Sequence, residues 1–429
     1  MSPLGETLAR VAYSTLLWLL QPAYLLRLWW RGRVEPLYRH ALAERFGFYG
    51  SQPSAGWVWL HAVSLGETRA AAALIDALRI ARPGMKLLLT HGTATGREAG
   101  TELLRDGDVQ TWLPLDTPAA TRRFFVHFSP AIVVLMETEI WPNLLRAAHA
   151  RRVPVVLANA RLSRKSFAQG QRFAALLRPA ARKVTLVLAQ TADDAQRIVD
   201  SGAPLVEVSG NLKFDMTPDP ALLLQGRAWR AMTERDVLLA ASTREGEEAM
   251  LLAAWARLSR ESRPLLLIVP RHPQRFDEVA SLVRSAGLSL LRRSSWDRMP
   301  PPDAPQADVW LGDSMREMAL YYATARAALL GGSFEPLGGQ NLIEAAACAC
   351  PVVMGPHTFN FAEAAELSLA AGAALRASTM DDAIAQATRL VADTPRCERA
   401  SADAARFAAQ HQGAATRMAH RIAGLMPPG

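Results

Sequence analysis

Acidic side chains follow two of the apolar segments that the sequence predicts as strands. Glu67 ends the segment 61–67 (HAVSLGE) and leads into a helical pattern, while Glu137 directly follows an apolar run that closes at Met136. A carboxylate beside a hydroxyl group can accept its proton, as general-base catalysis requires. We therefore predict Glu67 as a general base and Glu137 as a second functional carboxylate.

Both positions also have a structural interpretation. Ser64 and Glu67 match the S-x-x-E capping box, in which the Glu carboxylate holds the start of a helix. Glu139, two residues after Glu137, is placed to offset the positive end of a helix that begins near Pro142. The pattern alone leaves the catalytic and the capping interpretation of Glu67 open.

The second half of the chain carries groups that bind phosphate and ribose. Arg271 follows an apolar run, and its permanently charged guanidinium can form paired hydrogen bonds to a phosphate. Gly332 and Ser333 end another run, and the pair Gly338-Gly339 precedes a helical pattern. Paired glycines let backbone amides approach a phosphate, and an acid one turn into the helix, here Glu344, can bind ribose hydroxyls. These features predict a nucleotide site.

Metal ligands are not expected. Asp106-Gly-Asp108 matches the D-x-D metal motif found in some sugar transferases, but it precedes an apolar run instead of following one. We interpret it as a turn, and no other cluster in the sequence has metal-ligand spacing. The three cysteines are neither paired nor spaced for zinc, which predicts free thiols in a reducing compartment.

The elements that must position these groups alternate along the chain. From Trp57 onward, short apolar runs alternate with amphipathic patterns, which is typical of parallel sheets covered by helices on both faces. The stretch 210–220, with two prolines, interrupts this alternation. We predict an α/β protein with two Rossmann-like domains, residues 51–209 and 236–429, joined by a linker at 210–235. Ligands bind beyond the carboxyl ends of such strands, so the functional groups would line a central cleft between the domains.

The N-terminal region, residues 1–50, is predicted to associate with a membrane. Residues 11–30 are apolar, but Gln21, Pro22 and Arg27 interrupt the ~20 apolar residues that a spanning helix needs. Trp29 and Trp30 end the run and a basic stretch follows, an order that places the rest of the chain on the cytoplasmic side. A spanning anchor, a surface-lying anchor and a buried first helix all stay open. The net charge of +8 favours an anionic partner, while the dispersed arginines argue against nucleic acid.

Taken together, the motifs resemble the signature segments of bacterial 3-deoxy-D-manno-oct-2-ulosonic acid (Kdo) transferases. Between residues 61 and 361 these segments are HAVSLGE, METEIWPN, NARLSRKS, GNLKFD, ASTREGEE, VPRHPQRF, LGDSMRE, GGSFEPLGGQNLIEAA and MGPHTFNF. The resemblance implies the GT-B fold, with CMP-Kdo as co-substrate and no cofactor or metal. It also implies inverting transfer to the lipid A precursor for lipopolysaccharide, at the cytoplasmic face of the inner membrane.

The resemblance also assigns residues. Glu67 matches the proton acceptor, and Glu137 and Lys213 match positions that support the transition state. The resemblance implies that three segments contact CMP: Pro270 and Arg271, then Met315, Arg316 and Glu317, then Asn341, Leu342, Ile343 and Glu344. The glycine pattern described above adds Gly332 and Ser333 to the predicted CMP site. Many members have Gly at the position of Arg316, so the contact made by that loop stays open.

Two other functions remain compatible with these patterns. One is another two-domain nucleotide-sugar enzyme, such as a 2-epimerase, which would share the phosphate site but would not need a membrane segment. The other is a membrane-bound protein that binds a nucleotide or lipid without catalysing a reaction. Analysis of the products formed from CMP-Kdo and the lipid acceptor distinguishes the three.

Overall fold

The computed structural model describes residues 3–233, 235–259 and 263–427, which form two compact units. The first unit extends to Asp215 and also includes the chain from Gln412 onward, and the second is Met216–His411. Four short stretches lie outside the described residues. They are residues 1–2 of the predicted anchor, residue 234 of the predicted linker, and residues 260–262 and 428–429 of the predicted C-terminal domain.

The first unit contains a seven-stranded sheet. Its strands are β1 (Trp57–His61), β2 (Lys86–His91), β3 (Val109–Trp112), β4 (Ile132–Met136), β5 (Val155–Ala160), β6 (Leu186–Ala189) and β7 (Val206–Val208). Their order is β3-β2-β1-β4-β5-β6-β7, and every neighbouring pair is parallel. Along β1, Val58 and Leu60 enter one hydrophobic cluster and Trp57 and Trp59 another, so both faces of the sheet are buried.

Helices cover this sheet and precede it. They are α1 (Pro3–Leu19), α2 (Gln21–Arg31), α3 (Leu65–Ala81), α4 (Ala94–Gly100), α5 (Pro118–Phe128), α6 (Pro142–Ala150), α7 (Arg164–Gln171), α8 (Ala174–Ala181) and α9 (Ala192–Asp200). Side-chain oxygens of Ser64, Thr93, Thr117 and Thr191 accept from backbone amides at the starts of α3, α4, α5 and α9. Such N-caps satisfy amides that have no partner inside the helix, and they fix where each helix begins.

The second unit repeats the architecture. It begins with α10 (Pro220–Met232) and contains β8 (Val237–Thr243), α11 (Glu247–Trp255), β9 (Leu265–Pro270), α12 (Phe276–Ser285), β10 (Leu290–Arg292), β11 (Val309–Leu311), α13 (Met318–Thr324), β12 (Ala327–Leu330), α14 (Leu342–Ala347), β13 (Val352–Met354), α15 (Ala362–Ala370), β14 (Ala374–Arg376), α16 (Met380–Ala392) and α17 (Thr394–His411). The sheet is parallel with the order β10-β11-β9-β8-β12-β13-β14. The predicted α/β class with two Rossmann-like units is confirmed.

The strand order reverses once near the centre of each sheet. In the first sheet β1 lies between β2 and β4, and in the second β8 lies between β9 and β12. At such a switch point the connections leave on opposite faces of the sheet, so a crevice opens beyond the carboxyl ends of the two central strands. The residues after β1, β4, β8 and β12 are therefore the positions at which each unit can bind a ligand.

The last helix, α18 (Ala414–Ala423), belongs to the first unit. Met418 and Ile422 lie in the same hydrophobic cluster as Leu74 and Leu78 of α3. The Asp215 carboxylate accepts hydrogen bonds from the backbone amides of Gly413 and Ala415 and so caps α18. This differs from the predicted boundary, which assigned residues 236–429 to one domain. The apolar face of α18 is matched by α3, a pairing that spacing along the chain does not indicate.

The N-terminal helices present an apolar surface. Trp18, Leu26 and Trp30 are 66%, 66% and 67% exposed, and several other large apolar side chains of α1 and α2 are also exposed. The opposite side of α1 is attached by polar contacts, because the Tyr13 hydroxyl donates to Asp116 at 3.0 Å and Asn143 Nδ2 donates to the Ser14 hydroxyl at 3.0 Å. In the described part of the chain, no helix combines the length and apolar character needed to cross a membrane.

Candidate functional site

Three carboxylates meet beyond the carboxyl ends of β1 and β4. Burial raises the pKa of Glu137, and the charge of Glu67 raises it further, while Lys213 and Arg161 act in the opposite direction. Burial, followed by the charges of Glu67 and Glu137, raises the pKa of Glu139 to about 7. Because Glu67 contributes to the pKa of both other acids and Glu137 contributes to that of Glu139, the three carboxylates lie within electrostatic reach of one another at the switch point. Acids with raised pKa values in such a position are typical of catalytic sites.

Glu67 is held by the loop that precedes its own helix. Its Oε2 accepts from the backbone amide of Val63 at 2.8 Å, and its Oε1 accepts from the Ser64 hydroxyl at 2.8 Å. The amide of Glu67 in turn donates to Ser64 Oγ at 3.4 Å. The capping interaction predicted from the sequence is therefore present. Each carboxylate oxygen has a second lone pair, so the same contacts also orient Glu67 for a further donor such as a substrate hydroxyl.

Glu137 adopts a backbone conformation that is unfavourable for a side-chain-bearing residue. Its φ is +56°, in the left-handed region, and its amide donates to the carbonyl of Ala158 on β5 at 2.8 Å. This conformation costs on the order of 1–3 kcal/mol and persists only where surrounding structure enforces it. The turn directs the chain sharply at the end of β4 and keeps this carboxylate beside Glu67.

Lys213 is positioned by a network of side-chain amides that spacing along the chain does not indicate. Asn159, fully buried at the end of β5, accepts from the amide of Leu212 at 3.0 Å. Gln190 Nε2 donates to the Asn159 carbonyl, and Asn211 Nδ2 donates to Gln190 Oε1, each at 3.0 Å. Asn211 Oδ1 then accepts from the Lys213 amide. The motifs NARLS and GNLKFD were recognised as blocks, but only the fold shows that they contact each other.

Two other polar motifs of this unit have structural roles. Asp108 forms an ion pair with Arg79 and accepts from the amide of Leu87 at 2.9 Å, which supports the interpretation of the D-x-D sequence as a turn. His61 is fully buried, and burial lowers its pKa to about 3, so the ring is neutral and bonds to Thr90. Among the described residues, no three His, Cys, Asp or Glu side chains are arranged to hold a metal ion.

In the second unit, three of the predicted donor-site residues come together. Arg316 and Glu344 line a cavity of about 210 Å³, together with Met216, Pro218 and Leu222. Burial raises the pKa of Glu344, and the charge of Arg271 opposes that rise, which places the Arg271 guanidinium within electrostatic reach. The cavity therefore combines a carboxylate suited to hydroxyl groups with one cation suited to phosphate, Arg316, and Arg271 acts on the same carboxylate.

Several other predicted donor-site residues use their side chains inside the unit. Ser333 is fully buried, where its hydroxyl donates to the Leu330 carbonyl and accepts from the amide of Gly355. Glu317 is paired with Arg293 at 2.8 Å. Leu342 and Ile343 are buried core residues, so any contact of theirs with a ligand would come from the backbone. The remaining predicted positions, Pro270, Met315 and Asn341, are placed at the end of β9, on an exposed loop and at the N-cap of α14.

Glu247 organises the switch point of the second sheet and was not singled out from the sequence. Its buried carboxylate accepts from the amides of Arg244 at 2.9 Å, Gly332 at 2.7 Å and Phe334 at 3.0 Å. The Gly332 amide, predicted to face a phosphate, is thus bonded to Glu247. Gly331, the residue before Gly332, is needed for close packing, because a Cβ there would lie 2.3 Å from the Ser242 carbonyl oxygen. Three amides converging on one carboxylate fix the loops after β8 and β12.

Arg271 gives a first prediction. Arg271→Ala should weaken CMP binding several-fold at least without destabilising the unit, because the side chain is exposed. Arg271→Lys should restore affinity only in part, since an ammonium cannot reproduce the paired hydrogen bonds of a guanidinium. Titration calorimetry with CMP measures this, with the exposed Arg284 on α12, changed to Ala, as the matched control. Equal affinity of Arg271→Ala and Arg284→Ala would remove Arg271 from the site.

Several known proteins have sequences similar to that of this chain. A family model described as 3-deoxy-D-manno-octulosonic-acid transferase (kdotransferase) matches residues 40–216. A 3-deoxy-D-manno-octulosonic acid transferase of Bordetella pertussis is 45% identical over 96% of this chain and 98% of its own length. A protein of the same name from Haemophilus influenzae is 35% identical over 88% of this chain and 89% of its own length.

Solved structures agree with the fold. The UDP-GlcNAc 2-epimerase of Neisseria meningitidis, in complex with UDP-GlcNAc, superposes with a TM-score of 0.53 over 80% of this chain and 93% of that one. At 17% sequence identity this likeness concerns the two-unit architecture alone, which is the GT-B type predicted from the sequence.

Proposed function

This chain belongs to the 3-deoxy-D-manno-octulosonic acid transferase family of glycosyltransferases, and from that premise we propose that it transfers Kdo from CMP-Kdo to the lipid A precursor. The observation that carries the proposal is the position of Glu67. Its two oxygens are oriented by Val63 and Ser64 at the switch point of the first sheet, beside Glu137 and Glu139. A permanently oriented carboxylate at this place suits a reaction that begins with removal of a proton from a hydroxyl.

The proposed reaction is a single displacement. Glu67 takes the proton of the acceptor hydroxyl as the oxygen forms a bond to the anomeric carbon of Kdo. The bond between that carbon and the phosphate oxygen breaks on the opposite face, CMP leaves with the electron pair, and the configuration inverts. Lys213 lies near Glu137 and offsets negative charge in the first unit, and Arg271 offsets charge on the CMP phosphate. In this proposal Lys213 and Arg271 offset the negative charge without a metal ion.

Product analysis tests the proposal. Incubation of the purified protein with CMP-Kdo and the lipid A precursor should release one CMP for each Kdo attached to the lipid. The rate of this reaction should be the same with and without EDTA. NMR of the product should show inversion at the anomeric carbon. An epimerised sugar nucleotide, or binding of CMP-Kdo without any product, would contradict the proposal and favour one of the two other functions. Loss of activity in EDTA would contradict its metal-free form.

We further propose that α1 and α2 hold the protein on the cytoplasmic face of the inner membrane. The apolar side chains of these helices face outward, while Tyr13 and Ser14 attach the opposite side of α1 to the first unit. Arg33 lies 4.5 Å and Arg39 5.1 Å from the ring of Trp29, which places cations beside the aromatic residue, as at a membrane interface. Such a surface suits a helix pair that lies in the headgroup region.

Removing the outward apolar side chains tests this attachment without disturbing the docking of α1. The triple substitution Trp18→Ser, Leu26→Ser and Trp30→Ser should lower transfer to vesicle-embedded acceptor at least tenfold, because each side chain stabilises insertion by about 1.5–3 kcal/mol when fully buried. Transfer to detergent-dispersed acceptor should change less than about twofold. The matched control replaces the exposed Ile80, Val126 and Leu224 by Ser. Equal activity of both triple variants on vesicles would contradict the attachment.

A further inference from the structure

An apolar cavity of about 280 Å³ adjoins the acidic cluster of the first unit. It lies beneath α7 and α8 and is lined mainly by aliphatic and aromatic side chains, among them Ile140, Leu157, Leu162, Phe167, Leu177 and Ile198. None of the residues of α7 is buried, although the helix borders this cavity. Interiors normally fill such a space, because an empty apolar cavity loses the contacts of every atom that lines it.

The loop that follows β4 borders the cavity. Thr138 and Ile140, the residues on either side of Glu139, belong to its lining. Glu139 is in turn electrostatically coupled to Glu67 and Glu137. A molecule that occupied the cavity would therefore contact the loop that carries Glu139.

The segment that contributes α7 and α8 to the cavity is strongly cationic, whereas α9, which contributes Ile198, carries Asp193, Asp194 and Asp200. Residues 140–192 contain no Asp or Glu, and the stretch 161–183, which includes α7 and α8, carries Arg161, Arg164, Lys165, Arg172, Arg178, Arg182 and Lys183. Five of these cations, Arg161, Arg164, Lys165, Arg172 and Arg182, are exposed. An apolar cavity with a cationic rim is complementary to an amphiphile with an anionic head, and not to a neutral lipid or a soluble sugar.

We propose that this cavity binds one acyl chain of the lipid acceptor and so positions the acceptor hydroxyl for Glu67. The inference rests on the proposed function and adds to it the subsite that recognises the apolar part of the acceptor. The acyl chain enters between α7 and α8, and the cations around the entrance contact the phosphate groups of the same molecule. The cavity thus couples recognition of the lipid to the orientation of its hydroxyl at the acids.

Filling the cavity tests the proposal. Ala174, half-buried in the lining, is replaced by Phe, and Ala168, exposed on α7 outside the lining, is replaced by Phe as the matched control. The two acceptors are the tetra-acylated, bis-phosphorylated disaccharide in detergent and the same disaccharide fully deacylated. Ala174→Phe should lower kcat/KM for the acylated acceptor at least tenfold relative to Ala168→Phe. With the deacylated acceptor the two variants should agree within about twofold.

A second variant guards against misfolding. Gly170→Leu also fills the cavity, and it is accommodated because a Cβ at Gly170 meets only Leu177 Cδ1, at 3.8 Å. It should reproduce the loss seen with Ala174→Phe while its Tm and CMP affinity stay at the wild-type values.

Each contrary result has a distinct meaning. Equal rates of Ala174→Phe, Gly170→Leu and Ala168→Phe on the acylated acceptor would overturn the acyl site while leaving Kdo transfer intact. Release of the two filled variants from vesicles that lack acceptor, with equal losses on both acceptors, would show that the cavity takes bilayer lipid instead and would overturn the proposal. If the wild-type protein forms no product with either acceptor, the proposed function itself fails.

Discussion

Glu67→Gln should lower turnover by roughly 100-fold or more while CMP still binds, because the amide preserves the shape of the side chain but cannot accept a proton. The amide oxygen can still accept from the amide of Val63, so the start of α3 should stay largely in place. The measurement is kcat from product formation, divided by the folded fraction from circular dichroism. A loss this large in rate with a small change in Tm would separate catalysis from capping.

The chain supplies a matched control for this variant. At the start of α9, Asp194 repeats the capping geometry, since it accepts from the Thr191 hydroxyl at 2.8 Å and from the amide of Leu162 at 2.9 Å. Asp194→Asn should therefore cost stability, about 0.5–2 kcal/mol for a weakened cap, without a comparable loss of rate for each folded molecule. If Glu67→Gln behaved in the same way as Asp194→Asn, Glu67 would be only a helix cap.

Glu248→Ala should destabilise the second unit by about 3–5 kcal/mol, because it leaves the buried guanidinium of Arg275 without its buried partner. Glu248 is fully buried and binds Arg275 at 2.7 and 3.0 Å through both oxygens, and Thr243 donates to the same carboxylate at 2.7 Å. The network connects the end of β8 to the turn that follows Arg271. Thermal unfolding followed by circular dichroism should show a clear fall in the Tm of this unit, with weaker CMP binding.

Arg275 has a second acidic partner that serves as the control. Glu278 also binds Arg275, at 3.0 Å, but its side chain is 56% exposed. Glu278→Ala should change the Tm far less, because water replaces a lost partner at an exposed position. Replacing Glu248 by Gln and Arg275 by Met together should recover much of the stability, since neither charge is then buried alone. Equal Tm values for Glu248→Ala and Glu278→Ala would show that the network does not stabilise the unit.

Most strands can be predicted from the sequence, but three short strands at the sheet edges cannot. β1 is predictable because it is buried on both faces and reads as a continuous apolar run. β7, β10 and β14 carry no such run. Each is three residues long and only partly buried, and each forms an edge of its sheet. A strand this short and this exposed has too few apolar residues for a pattern to identify it.

The site was predictable to the extent that its residues follow strands. Glu67 and Glu137 can be identified because Glu67 lies in the first turn of the helix that follows β1 and Glu137 directly follows β4, and both lie at the switch point of the sheet. Glu247 was missed because its partners, the amides of Gly332 and Phe334, are far away along the chain. The role of Ser333 was likewise invisible, since nothing in its spacing indicates that its hydroxyl joins two strands of the core. Patterns of this kind show which residues are polar near a strand end, but they do not show whether a partner inside the protein already uses them.

Because α18 belongs to the first unit, the core of that unit is completed only after the second unit has been synthesised. The core beneath α3 is completed by Met418 and Ile422, which the ribosome makes only after the whole of Met216–His411. At about 5–20 residues per second, that delay is roughly 10–40 s. During this time the cluster that contains Leu74 and Leu78 of α3 lacks the apolar side chains of α18, while the exposed helices at the N-terminus have already left the ribosome. The nascent chain is therefore more prone to aggregation or chaperone capture before α18 is released than after α18 has packed on α3.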